Sequence, residues 1–279
     1  MREFNLAIST CPNDTFIFYA LVNNKFENYK FNVSFADINE LNNLAFQKEF
    51  DIIKVSFNAF GFLMNYYDLL DSGSALGQGC GPIIISKNFV KIEELSGRKV
   101  GVPGKYTTAN YLFNLAKNVE TEDVFMRFDR IIPAILKNEI DAGVIIHESR
   151  FTYESYGLKK ILDLGEYWEK HFNTLIPLGG IIVKKSIEPN VKMEIDKLIK
   201  LSINFSKNNF QRVLPFIKNY AKELDEATIK SHIDLYVNQY TYSLGKEGSL
   251  AIEKFYKSGY EKGIFENFKF CIVGQNGIG

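Results

Sequence analysis

The sequence predicts an α/β protein with two lobes, and three observations support this fold class. Strand and helix patterns alternate through the first two thirds of the chain, as in strands joined by crossover helices. A strand pattern returns at residues 178–184, and from residue 192 onward helices with polar faces follow one another. The chain also has 279 residues, which favours two domains at roughly 100 to 200 residues per domain.

The first lobe begins with a strand pattern at residues 5–9, and Pro12 follows it. Residues 14–23 then have one apolar face at helical spacing. The same criteria predict strands at 31–35, 51–56 and 83–86 and helices at 39–48 and about 60–67. The glycine-dense residues 73–82 allow sharp bends or close backbone approach. They do not follow the dinucleotide fingerprint and lead into a strand, so we expect no nucleotide-phosphate loop there.

A second, smaller α/β unit follows. Its first strand, residues 99–102, is closed by a Pro-Gly pair, and Thr107 is suited to cap the next helix. The pattern then predicts a helix at 109–117, strands near 124–128 and 141–146, a helix at about 129–138, a returning strand at 178–184 and late helices at 192–207, 210–222, 226–239 and 248–262. We therefore predict a larger domain of residues 1–98 and 178–279 and a smaller domain of residues 99–177. Two crossing segments would form a hinge, and a ligand would bind in the central cleft between the lobes.

The composition favours a small-molecule partner. Lysine plus arginine and aspartate plus glutamate number 33 each, so nothing in the net charge indicates nucleic acid or an anionic membrane surface. No apolar run approaches the roughly 20 residues of a membrane-spanning helix, and the first residues lack the apolar stretch of a signal peptide. We expect a cytoplasmic protein. The three cysteines are far apart, so we expect no disulfide, no metal site and no cofactor.

The strongest candidate for chemistry is His147. It ends the apolar run at 141–146 and so stands at the carboxyl end of a predicted strand. Ligands of open α/β sheets bind outside the carboxyl ends of the strands, and an imidazole titrates near neutrality, with an unperturbed pKa of about 6.5. His171 and His232 lie in helical patterns instead. We predict His147 as the catalytic base, with a neutral core imidazole bonded to a backbone carbonyl as the alternative.

Further polar clusters follow other predicted strands. The substrate-binding candidates in them are Asn13, Asp14, Lys54, Val55, Ser56, Thr107 and Thr108. A helix amino terminus carries a partial positive charge, so the two threonines suit a carboxylate, although threonine also caps helices that bind no ligand. The same alternative applies to Asn13 and Asp14. Lysine is uncommon inside an apolar strand, so Lys54 either has a partner at a site or snorkels to the surface.

Three long motifs are residues 9–21 (STCPNDTFIFYAL), 103–109 (PGKYTTA) and 145–153 (IIHESRFTY). Together they resemble those of the 1,4-dihydroxy-6-naphthoate synthase family of the futalosine route to menaquinone. The resemblance covers nearly the whole chain. It implies a periplasmic-binding-protein type II fold and a lyase that cleaves a carbon–carbon bond of cyclic dehypoxanthine futalosine, leaving 1,4-dihydroxy-6-naphthoate. It also implies that His147 is the proton acceptor and that residues 54–56 with Thr107 and Thr108 contact the substrate. One departure is Tyr106, where some relatives have histidine.

Other functions remain open from the sequence. A non-catalytic solute-binding protein and the related chorismate dehydratase would use the same scaffold, and a ligand-sensing regulator is a third alternative. The sequence leaves undecided which proton His147 removes and whether Glu148 orients it. Aromatic residues of the late helices, Phe255, Tyr256 and Tyr260, leave a homodimer open, although core packing explains them more simply.

Overall fold

The computed structural model describes residues 1–221 and 225–275. The strands in these residues are β1 (Arg2–Ser9), β2 (Tyr29–Ala36), β3 (Ile52–Ser56), β4 (Tyr67–Leu69), β5 (Ala75–Gly77), β6 (Ile83–Ser86), β7 (Lys99–Val102), β8 (Glu122–Phe125), β9 (Ala142–Ile145), β10 (Lys159–Asp163) and β11 (Ile176–Lys184). The α-helices are α1 (Pro12–Ile17), α2 (Tyr19–Val22), α3 (Ile38–Gln47), α4 (Phe57–Gly61), α5 (Thr108–Ala116), α6 (Phe128–Leu136), α7 (Ser149–Thr152), α8 (Leu164–Phe172), α9 (Pro189–Asn208), α10 (Phe210–Tyr220), α11 (Glu226–Tyr236), α12 (Gln239–Tyr242) and α13 (Gly245–Glu261).

The chain forms two compact units. Unit 1 contains Met1–Gly77 and Pro177–Gly279, and unit 2 contains Gln78–Ile176. We predicted the first domain boundary at residue 98, whereas the first part of unit 1 ends at residue 77. The difference arises because β6 pairs with β9 and β10 in the sheet of unit 2. The pattern of β6 is simply apolar, so it could not indicate which sheet the strand joins.

Unit 1 is built on a six-stranded sheet. Five strands lie in the order β2-β1-β3-β11-β4, and β5 also pairs with β11. β2, β1 and β3 run parallel, whereas β11 is antiparallel to both β3 and β4. All five residues of β3 are buried, which explains its nearly continuous apolar pattern. Lys54 therefore stands inside the sheet, opposite Ile181 of β11.

Helices cover this sheet because each presents one apolar stripe. In α9, Ile195, Ile199 and Ile203 recur every four residues and are fully buried. The short helix α1 packs against α9, α10 and α11, so the late helices contact the first βα turn of the chain. These contacts make the carboxyl-terminal segment part of the same core as β1.

Unit 2 has a five-stranded sheet in the order β10-β6-β9-β7-β8. β7 is parallel to both β8 and β9, while β6 is antiparallel to β9 and β10. Helix α6 packs closely on β9, since a Cβ at Gly143 would lie only 2.2 Å from the Ile131 side chain. The parallel pair of β7 and β9 places their carboxyl ends at the same edge of the sheet.

Several predicted elements differ from the structure. The helix predicted at 60–67 is the shorter α4, and Tyr67 already belongs to β4. Strand β10 was not predicted, because its exposed lysines, Lys159 and Lys160, give an edge strand a polar pattern. The predicted helix at 210–222 corresponds to α10, and residue 222 lies outside the described residues.

Two of the three aromatic residues that left a homodimer open are core residues. Phe255 and Tyr256 are fully buried in unit 1, and the Tyr256 hydroxyl donates to the carbonyl of Phe57 at 2.8 Å. Tyr260 is 48% exposed. Packing therefore accounts for the first two. Among residues 1–221 and 225–275, no helix is long and apolar enough to cross a membrane.

The approach of β11 to β3 leads to a prediction about stability. A Cβ at Gly179 would lie 2.7 Å from the carbonyl oxygen of Val55, so Gly179→Ala must move backbone. We expect this variant to lose about 1–3 kcal/mol of unfolding free energy in urea denaturation. Gly248→Ala is the control, because its nearest neighbours are Leu244 side-chain atoms at 3.3 Å and alanine favours a helix by about 1 kcal/mol over glycine. Equal stability of Gly179→Ala and the unsubstituted protein would contradict the prediction.

Candidate active site

The first βα turn carries a buried carboxylate. Pro12 begins α1 at the position where a missing N–H costs no hydrogen bond, and Asp14 stands in the first helical turn. Asp14 is only 1% exposed. Its Oδ2 accepts hydrogen bonds from the Ser9 hydroxyl at 2.6 Å and the Ser9 N–H at 3.3 Å, and its Oδ1 accepts from Asn13 Nδ2 at 2.9 Å. The carboxylate is thus held on both oxygens by its own turn.

Lys54 is paired with this carboxylate. Its Nζ lies 3.3 Å from Asp14 Oδ1 and donates to the carbonyl oxygen of Gly73 at 3.0 Å. The Lys54 side chain is 5% exposed, so it does not snorkel to the surface. Removing one partner of a buried ion pair typically costs 3–5 kcal/mol, because the other charge is left uncompensated.

His232 joins Asn13, Asp14 and Lys54 in this group and was not predicted. It is fully buried on α11, and its Nε2 lies 3.0 Å from Asn13 Oδ1. Because Asn13 Nδ2 faces the Asp14 carboxylate, which only accepts, its Oδ1 must face the imidazole, and His232 Nε2 is therefore the donor. The sequence offered little sign of this contact, since 219 positions separate the two residues.

Ser56 is oriented by another residue that the sequence analysis missed. Asn42, on α3, accepts a hydrogen bond from the Ser56 N–H at 2.8 Å and donates to its hydroxyl at 3.0 Å. Both residues are buried. Val55, between Lys54 and Ser56, is buried as well, so its side chain serves the core. One sign of this role was visible in the sequence: Asn42 is a polar residue at a position of the buried face of α3.

In unit 2, Thr107 caps α5 as predicted. Its hydroxyl donates to the Gly104 carbonyl at 2.8 Å and accepts from the Asn110 N–H at 3.2 Å. Thr107 and Thr108 are both buried, with 2% and 3% exposure. The turn between β7 and α5 also needs Gly104, whose φ of 124° is open to glycine and strained for other residues.

His147 lies just beyond the carboxyl end of β9, where the sequence predicted it. Strand β9 ends at Ile145, and α7 begins at Ser149. The imidazole is half-buried and meets the ring of Phe128 edge-on, with centroids 5.0 Å apart. His147 has a φ of 58°, in the left-handed region that few non-glycine residues occupy. His147 therefore lies in a turn, outside the helices and strands of unit 2.

The structure groups the predicted site residues by unit. In unit 1, Asn13, Asp14 and Lys54 form one hydrogen-bonded group. In unit 2, the pair Thr107–Thr108 and His147 follow the neighbouring parallel strands β7 and β9.

Other reactive groups are poor candidates. Burial raises the pKa of the Cys80 thiol to about 12, which leaves little thiolate at neutral pH. Cys11 is buried in the first βα turn. Within the described parts of the chain, no three His, Cys, Asp or Glu side chains come together as a group that could hold a metal ion.

Comparison with known proteins assigns the chain to a family. A family model described as menaquinone biosynthesis matches residues 4–261. The 1,4-dihydroxy-6-naphthoate synthase of Thermus thermophilus is 34% identical over 266 residues, covering 95% of this chain and 96% of the relative. The enzyme of that name from Streptomyces coelicolor is 38% identical over 253 residues, covering 88% and 89%.

Solved structures agree on the fold. Protein AF1704 of Archaeoglobus fulgidus has a TM-score of 0.89 at 34% identity, covering 94% of this chain and 98% of its own. The alkanesulfonate-binding protein SsuA of Xanthomonas axonopodis pv. citri has a TM-score of 0.73 at 10% identity, with coverage of 95% and 94%, which supports the fold alone. The fold is of the periplasmic-binding-protein type, and the chain belongs to the menaquinone-biosynthesis family.

Proposed function

We propose that this protein is a lyase of menaquinone biosynthesis that converts cyclic dehypoxanthine futalosine to 1,4-dihydroxy-6-naphthoate. The observation that carries the proposal is the position of His147, within a motif typical of the naphthoate synthases and just beyond the carboxyl end of β9. The names of the two relatives supply the product, and the resemblance of the motifs implies the substrate and the lyase step. We expect the reaction to take place in the cytoplasm.

In this mechanism His147 is the general base. Cleavage of a carbon–carbon bond leaves an electron pair on one fragment, and a base that takes a proton as the bond breaks lowers the barrier. Such a group typically contributes about 10² to 10⁴ in rate when its pKa lies near the working pH. The left-handed backbone at residue 147 and the edge-on contact with Phe128 both restrict where the imidazole can point.

We assign substrate binding to two groups of residues. The amino terminus of α5, with Thr107 and Thr108, would bind the substrate's carboxylate, because helix N–H groups and the partial positive charge attract an anion. Lys54 and Ser56 would donate hydrogen bonds to substrate oxygens. Asn13 and Asp14 have a supporting role in this proposal, since both are buried and their polar atoms already hold Lys54 and one another.

A solute-binding protein is the alternative from another class. Binding proteins have the same fold at 10% identity, but likeness at that level does not favour their function for this chain. The related chorismate dehydratase also remains an alternative. Product formation by the purified protein from cyclic dehypoxanthine futalosine separates all three, because a dehydratase or a receptor would release no dihydroxynaphthoate from that compound.

The base role predicts the effect of replacing His147. We expect His147→Ala and His147→Asn to lose about 10² to 10⁴ in kcat, because both remove the proton acceptor. The asparagine variant matters because asparagine tolerates the left-handed conformation at this position. Steady-state dihydroxynaphthoate formation measures the loss. His171→Ala is the control, on the exposed end of α8, and should keep full activity. Full activity in both His147 variants would refute the assignment.

The proposed binding of the substrate's carboxylate predicts an effect on KM that can be measured apart from the effect of Thr107 on stability. Valine at both positions should raise KM about tenfold or more through the loss of the Thr108 hydroxyl, since hydrogen bonds to charged groups contribute about 1.5–3 kcal/mol. The Thr107 hydroxyl already donates its hydrogen to the Gly104 carbonyl. Thr107→Val should also cost about 0.5–2 kcal/mol of stability, because the Thr107 hydroxyl caps α5. Thr107→Ser keeps that hydroxyl and should restore stability. Substrate titration and thermal unfolding of the four proteins test both effects, and an unchanged KM in the double valine variant would contradict the role.

Because Lys54 is paired with Asp14, its contribution to stability and its contribution to substrate binding can be measured separately. Lys54→Met should destabilise the protein by about 3–5 kcal/mol, because Asp14 is left charged and buried. Adding Asp14→Asn should recover most of this loss, while KM stays raised in both variants. Lys230→Met, in the exposed pair with Asp234, is the control and should cost at most about 0.5 kcal/mol. A wild-type KM in the Lys54→Met, Asp14→Asn protein would show that Lys54 does not contact the substrate.

A further inference from the structure

Arg150 lies three residues after His147, and its guanidinium is bonded to other residues of unit 2 and largely shielded from solvent. Its Nη2 donates to Asp163 Oδ2 at 2.9 Å, and its Nη1 donates to the carbonyl oxygen of Gly81. The Arg150 side chain is 16% exposed and that of Asp163 is 2% exposed. One planar guanidinium thus contacts two acceptors from separate segments of the chain.

Both acceptors belong to rigid surroundings. The second oxygen of Asp163, Oδ1, caps α8 by accepting from the N–H groups of Gly165 at 2.8 Å and Glu166 at 3.1 Å. A Cβ at Gly81 would lie 2.4 Å from backbone atoms of Gly165, so the two backbones are in direct contact. The acceptors of Arg150 therefore cannot move independently of each other.

The segment that carries His147 is held at both ends to the same short stretch of chain. At one end, Ile145 of β9 pairs with Ile83 of β6. At the other end, Arg150 bonds to the carbonyl of Gly81, only two residues before Ile83. Within the turn, the N–H of Arg150 donates to the His147 carbonyl at 3.3 Å. These contacts close the turn around residue 147.

The backbone conformation of His147 gives a reason why its turn should be held by the bonds of Arg150 to Asp163 and Gly81. A non-glycine residue at a φ of 58° costs free energy, and this conformation persists where the surroundings over-determine it. We propose that Arg150 is a positioning residue: its bonds to Asp163 and Gly81 hold the left-handed turn and thereby set the direction of the His147 imidazole. The proposal rests on the proposed function in one respect, that His147 acts as the base.

Arginine suits this role better than lysine would. Its donors are fixed in a planar fork, so one side chain satisfies the carboxylate and the carbonyl together, whereas a lysine ammonium is a flexible point charge. Arg150→Lys should keep the attraction to Asp163 and lose the fixed geometry. Its kcat should therefore lie between that of the unsubstituted protein and that of Arg150→Met.

The test compares kinetics with hydrogen exchange. We expect Arg150→Met to lower kcat about 10- to 100-fold, the scale on which a misplacement of about 1 Å acts, with KM unchanged within about twofold. Amide exchange at residues 147–151 should become faster in the same variant. Lys117→Met is the matched control, because it breaks another half-buried ion pair of unit 2, with Asp123, and should leave kcat and exchange at 147–151 unchanged.

A second variant guards against misfolding. Arg150→Met leaves Asp163 charged and buried, whereas Arg150→Met combined with Asp163→Asn removes both charges and still caps α8 with asparagine. This double variant should fold and still show the lower kcat and faster exchange. Wild-type kcat and exchange there would overturn the proposal, as would a raised KM with unchanged kcat, which would mean that Arg150 binds the substrate. Full activity of His147→Ala would refute only the base role of His147. Amide hydrogen exchange at residues 147–151 tests whether Arg150 holds the turn, and it does not depend on catalytic activity.

Discussion

The burial of the Lys54 ammonium is the constraint on which unit 1 depends. A charge inside a sheet must be compensated, and Asp14 supplies the opposite charge from the first βα turn. Asp14 in turn is held by Ser9 and Asn13, and Asn13 is bonded to His232 of α11. One buried cation thus connects the central strand, the first helix and the late helices. The same connections explain why a polar group of this size is tolerated in the core of the unit.

Local patterns predicted much of the fold, because strand ends and helix caps depend on neighbouring residues. Thr107 was correctly predicted as a cap, and His147 was correctly placed at the end of its strand. The partners were not predictable in the same way. His232 is fully buried, unlike the exposed His171, and its contact with Asn13 joins residues 219 positions apart. The boundary at residue 98 was wrong for a related reason, since strand pairing of β6 is also a long-range property.

The two units support their polar groups by different means. Unit 1 uses a chain of buried side chains, Ser9, Asp14, Asn13 and His232, that are joined by hydrogen bonds, so their orientation comes from hydrogen bonding. Unit 2 combines backbone geometry with one buried ion pair: the α5 amino terminus, the positive φ of Gly104 and the close contact of Gly81 with Gly165 stand beside the pair of Arg150 with Asp163. A buried network is costly when half-satisfied, whereas backbone groups stay oriented as long as the turn holds. Polar groups held in these two ways should therefore differ in their response to single substitutions.

The backbone conformation of His147 differs in its setting from those of the other non-glycine residues with positive φ. Among the described residues, the other non-glycine residues with positive φ are Asn24, Lys48, Asn138 and Asn173. Lys48 and Asn173 are the C-caps of α3 and α8, a position where the left-handed conformation is common. His147 instead follows a strand, where helix capping gives no reason for such a backbone. Glycine would adopt it without cost. The proposed base role gives a reason for an imidazole at this position. Phe128 contacts its ring, and the bonds of Arg150 to Gly81 and Asp163 close the turn that carries it.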